Sequence, residues 1–151
     1  MSGVTLSVSI QDQAVRRLFE KLSQRTGNLR PALMSMGEYM VRRTFERFGK
    51  EQDPWGRPWR TLSKRTLERK KPGLKILQGT TSLLRDTNVY KLVGGSSVEI
   101  GNNRIYGAIQ QLGGKAGRGH KVTIPARPYL GVNDRDEKEF EAILTDYLTS
   151  L

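Results

Sequence analysis

At 151 residues the chain is long enough for one domain that buries roughly two-thirds of its unfolded surface without a disulfide or metal staple. It has no cysteine and one histidine, His120, which excludes a disulfide framework, a thiolate metal site, a cysteine nucleophile and a multi-histidine metal centre. With 26 Lys and Arg against 15 Asp and Glu, the formal charge is +11, a field that concentrates polyanions, nucleic acid first among them.

Val4, Leu6, Val8 and Ile10 alternate as in a half-buried strand, and Asp12 then offers an N-cap for a helix with Val15, Leu18, Phe19 and Leu22 on one face. Gly27 and Asn28 end it. A second helix follows Pro31, its stripe of Leu33, Met36, Met40, Val41, Phe45 and Phe48 running up to Gly49; core packing, not a cofactor box, accounts for these residues. The turn Asp53-Pro54-Trp55-Gly56-Arg57-Pro58-Trp59 comes next. Pro54 fixes φ, Gly56 admits positive φ, and Pro58 removes a donor and extends Arg57. Its tryptophans admit two readings: both fold back as a lid on the core, or at least one anchors an interface.

Ser63 caps a short basic surface helix stopped by Pro72-Gly73. Ile76-Leu77 and Leu83-Leu84 follow, separated by Gly79, Thr80 and Thr81. Residues 88–93 and 97–100 form a strand pair across Gly94-Gly95-Ser96. Ile105, Ala108, Ile109 and Leu112 share one helical face. Residues 113–121 then interleave four glycines with Lys115, Arg118 and Lys121, a flexible basic loop. It either touches phosphate or is a solvated hairpin tip or arm ordered by a neighbour; the Gly-Lys-Ser/Thr ending of a phosphate-binding loop is absent, and His120 is incidental. In Pro125-Ala126-Arg127-Pro128-Tyr129-Leu130-Gly131 two prolines stiffen the segment, and Tyr129 and Leu130 dock it. A last helix, capped by Asn133 or Asp134, closes the core with Phe140, Ile143, Leu144, Tyr147 and Leu148. It also carries Asp134, Asp136, Glu137, Glu139, Glu141 and Asp146, so charge is segregated along the chain, the basic runs being Lys64 to Lys75 and Lys115 to Lys121. A solvated face is the default for those acids, and no nucleophile–base pair or metal-ligand spacing is evident, so no enzyme and no cofactor are expected. No basic-then-apolar signal pattern opens the chain and no apolar run approaches the ~20 residues of a membrane helix, so a cytosol-like compartment and no membrane partner are expected.

Several motifs together resemble the phage virion morphogenesis (tail completion) family, which includes Mu-like G proteins. They are Phe45 to Phe48 ahead of the tryptophan turn, Leu62-Ser63 with Thr66, and Ile76-Leu77 before Leu83-Leu84. Ile100-Gly101, Tyr106-Gly107-Ala108-Ile109-Gln110-Gln111-Leu112-Gly113 and residues 124–131 continue it, so it spans nearly the whole chain. Gln110-Gln111-Leu112-Gly113 stands where members commonly have His-Gln-Phe-Gly, and Gly107 replaces the usual alanine, which argues for packing and hydrogen bonding over catalysis at that motif. The resemblance implies a single α+β domain over residues 1–151, with a small antiparallel sheet and flanking helices including a C-terminal one. It implies a structural virion protein, made in the host cytoplasm, that completes the tail or joins head to tail as a ring, expected as a hexamer, around the DNA channel. Its partners would be copies of itself and neighbouring neck or tail proteins, with non-specific DNA contact in the channel. Trp55, Trp59, Arg127 and Tyr129 are expected at subunit contacts, and Lys115, Arg118 and Lys121 against DNA or an acidic neighbour. The alternative is a free basic nucleic-acid-binding protein without catalytic activity, although no recognised reading helix or aromatic RNA-binding strand is present.

Overall fold

A computed structural model describes residues 4–6, 12–79 and 83–151. Strand β1, Val4–Leu6, covers the start of the alternating stretch; Val8 and Ile10 lie outside the described residues. Helix α1, Gln13–Arg25, opens where Asp12 accepts hydrogen bonds from the Ala14 and Val15 amides at 2.8 and 3.4 Å. Val15 and Leu22 are its buried residues, as the apolar spacing requires.

Helix α2, Arg30–Lys50, runs through Gly49 and is closed two residues later by Glu51 in the left-handed conformation with φ of 54°. Glycine is therefore not the cap. The Glu51 carbonyl accepts from the Trp59 amide at 2.8 Å, so the following turn holds it in that geometry. Helix α3, Lys64–Arg69, is capped by Ser63 and has no buried residue, a basic surface helix as its composition dictates. A one-turn helix α4, Leu83–Asp86, leads into the strands; Thr80 and Thr81 lie outside the described residues.

Strands β2, Val89–Val93, and β3, Ser97–Asn102, form the expected hairpin, and β1 adds to the other edge of β3, giving the antiparallel order β1-β3-β2. Tyr90 faces Ile100 and Thr5 faces Gly101 in register. Helix α2 packs on β2 and β3 and also against the C-terminal helix α6, Asp134–Ser150, which in turn covers α1. Gly37 lets α2 approach the sheet: a methyl there would come within 2.4 Å of the Tyr90 ring, closer than carbon atoms can pack.

Helix α5 is shorter than the pattern suggests, Gly107–Leu112, so Ile105 precedes it; of the expected apolar face Ala108 and Ile109 are half-buried and Leu112 is exposed. Ile105 is 79% exposed and Leu112 is 72% exposed, while Gly107 is buried and Gln110 and Gln111 lie toward the body of the fold. A helical period defines a face but not its direction, and here the hydrogen bonds of Gln111 to residues 129 and 130 hold its side of the helix inward. The glycine-rich stretch begins with strand β4, Gly114–Ala116, which pairs antiparallel with β5, Val122–Ile124, just beyond it, around a short 3-10 turn at Arg118–His120.

Candidate functional site

Residues 127–131 form a strap whose backbone is held by side chains from three other segments. Gln111 of α5 accepts from the Tyr129 and Leu130 amides at 2.9 and 3.0 Å and donates to the Leu130 carbonyl at 2.9 Å. Arg47 of α2 donates to the Tyr129 carbonyl at 3.0 Å, and the Trp59 indole N–H donates to the Pro128 carbonyl at 2.7 Å. Arg127 donates to the Arg60 and Thr61 carbonyls, while the Tyr129 hydroxyl donates to the Gly107 carbonyl at 2.9 Å. Extended backbone flanked by prolines has no ladder partners of its own, so side chains must satisfy it. Burial pushes the Tyr129 hydroxyl well up from its ordinary value, and burial, with Arg60 nearby, pulls the Arg127 guanidinium down.

Below the strap lies an ionic cluster. Asp136, fully buried, accepts from Arg47 at 2.9 Å, Arg43 at 3.1 Å and the Tyr39 hydroxyl at 2.8 Å. It also closes a reciprocal cap with Asn133: each side chain accepts the other's amide. This corrects the expectation of a solvated acid on the last helix. An unpaired carboxylate could not be buried there, and two guanidiniums compensate it. The Asn-x-x-Asp spacing that opens the helix signals the cap, but the arginines are too distant in sequence to be read from any local pattern. Arg47 Nε has no hydrogen-bond partner among the described residues.

The tryptophan turn is nucleated by Asp53, a residue that the Pro-Gly pattern overshadows. Its carboxylate accepts from the Trp55 and Arg57 amides, both at 2.9 Å, and from Arg57 Nε at 3.0 Å, while its own amide donates to the Arg57 carbonyl. The two tryptophans then part. Trp59 goes inward, 4% exposed and edge-on to Phe48 with ring centroids 5.3 Å apart, and Phe48 packs in turn on Tyr129. Trp55 stays outside, 55% exposed, with the Arg57 guanidinium 5.5 Å from its ring. It walls a groove of about 370 Å³ with Arg43, Glu46, Lys50 and Asn133-Asp134-Arg135.

Of the four residues expected at subunit contacts, Trp59, Arg127 and Tyr129 thus have their side chains inside the fold, where they fix the strap and offer almost no surface to a partner. Only Trp55 has the exposure that a contact residue needs. Lys115, Arg118 and Lys121 are all exposed on the β4–β5 hairpin, and the cations of α3 form a second exposed basic region. Among the described residues no group of three or more His, Cys, Asp or Glu side chains could hold a metal ion, and no helix is long and apolar enough to cross a membrane.

The profile of the phage virion morphogenesis family matches residues 10–149. The chain is also 33% identical over 145 residues to the Mu-like prophage FluMu G protein 2 of Haemophilus influenzae, covering 92% of each chain. No solved structure matches it.

Proposed function

Since this chain belongs to the phage virion morphogenesis family, we propose that it completes the tail or joins it to the head, as one subunit of a hexameric ring around the DNA channel. Its coarser role, in the morphogenesis of a bacteriophage virion with which it is associated, follows from the family itself. The match along residues 10–149 is the observation that carries the finer reading. The surface supports it: a ring subunit joins one face to a different face of the next copy, and a stiffly held exposed tryptophan with segregated charge suits such a contact. In this reading Trp55 anchors a subunit contact. Trp59, Arg127 and Tyr129 hold the strap that backs it, and neighbouring neck or tail proteins bind the two faces of the ring. Assembly draws on subunits made in the host cytoplasm.

A phage carrying a nonsense mutation in this gene tests the proposal by negative-stain electron microscopy of its lysate. Filled heads lying apart from full-length tails are expected for a joining protein, and tails of aberrant length for a tail-completion protein. Normal infectious virions would overturn it and leave a free nucleic-acid-binding protein as the reading that accounts for the +11 charge.

A further inference from the structure

More than half of the net charge of +11 stands on one short segment, Arg60 to Lys75, which contains α3 and carries seven cations against a single acid, Glu68. Arg60, Lys64, Arg65, Arg69 and Lys71 are exposed, and none of them has an ion pair among the described residues. The other two lysines fasten the segment: Lys70 donates to the Gln78 carbonyl and Lys75 to the Gly49 carbonyl, while Arg127 holds its start through the Arg60 and Thr61 carbonyls. Helix α3 is thus tied at both ends yet buries no residue of its own. Six residues are too few for a helix to persist alone in water, and Arg65 and Arg69, one turn apart, repel each other along its side. An anionic partner would relieve that repulsion and steady the helix.

We propose that α3 and its flanking turns bind the phosphate backbone of duplex DNA without reading its sequence. This rests on the reading of a subunit around the DNA channel and names the surface that meets the DNA there. Phosphates supply the counter-charge that the fold withholds from these side chains, and release of the counterions condensed on the duplex drives the contact. A protein partner fits the segment less well, because protein interfaces have an apolar centre and are poor in lysine. Among the described residues between 60 and 75, Leu67 is the one large hydrophobic side chain that is exposed. The β4–β5 hairpin, with Lys115, Arg118 and Lys121 beside an exposed Val122, is the less charged of the two basic surfaces.

Fluorescence anisotropy of a labelled mixed-sequence duplex, titrated with the full chain over a series of salt concentrations, tests this. One variant carries Arg65→Gln, Arg69→Gln and Lys71→Gln, the other Lys115→Gln, Arg118→Gln and Lys121→Gln. Both lose the same charge at exposed positions, so the fold is not at stake and the general field of the molecule falls equally in each. The wild type is expected to bind with a steep salt dependence. The α3 variant is expected to bind about tenfold more weakly or worse, with the salt slope reduced by about 3, and the hairpin variant to stay close to the wild type. A wild type that does not bind, or variants that lose affinity equally, would overturn the proposal. Polyglutamate that displaces the duplex at equal concentration of charge would overturn it in favour of an acidic protein neighbour. Electron microscopy of the nonsense phage tests the channel reading apart from this: separated heads and tails without α3-dependent binding would leave the joining role standing and remove only the DNA surface.

Discussion

Trp55 and Trp59, four residues apart in one turn, are expected to answer alanine in opposite ways. Trp59→Ala removes a buried indole, its edge-on contact with Phe48 and its hydrogen bond to Pro128, and should cost about 3–5 kcal/mol in urea unfolding. Trp55→Ala should change stability by no more than about 0.5 kcal/mol, yet weaken subunit association. Asp136→Ala leaves Arg47, 3% exposed, without its counter-charge, and an unfolding loss of about 3–5 kcal/mol is expected. Burial, the hydrogen bond to Asp136 and the charge of that carboxylate push Tyr39 up from 10 to about 12. Its folded value lies above its unfolded one, so its contribution is fully present below pH 10 and is lost as pH rises toward 12. Unfolding midpoints followed through that alkaline range should therefore fall, and fall less steeply in Tyr39→Phe; identical slopes would refute this. Some slope persists in the variant because Tyr129 is shifted the same way.

Among the elements, the close approach of α2 to the sheet depends on Gly37. Gly37→Ala drives a methyl into the Tyr90 ring and should cost about 1–3 kcal/mol, read from thermal unfolding. Helices α1, α2, α3 and α6 and the β2–β3 hairpin were legible from caps, periods and turn residues, because those signals are local. Three features were not. The α5 face was legible as a face, but its direction depends on Gln111 binding a strap 18 residues away. Asp136 reads as surface because the two arginines that neutralise it lie 89 and 93 residues upstream. The β4–β5 pairing joins strands of three residues each across a glycine-rich turn, too short to show an alternation to read. Of the contact residues, Pro and Gly marked the stiff turn, but nothing in its composition tells which tryptophan turns inward.

At the scale of the whole molecule, the strap couples the inner and outer parts. It ties α2, α5, the tryptophan turn and the start of α6 into one unit, and Gly131 lies against Pro54 and Trp55. The exposed tryptophan is thus presented by a rigid base, which lowers the entropy lost when a neighbour binds. Lys115, Arg118 and Lys121 are exposed on the hairpin, and contacts that they make with an anionic neighbour should weaken as salt screens the charges. The most direct measurement is cryo-electron microscopy of purified virions at the head–tail joint and the tail end. The account predicts a closed ring of this chain around the channel, with Trp55 at or beside the contact between copies. Particles that lack the chain, or that carry it away from the axis with Trp55 facing solvent, would contradict it.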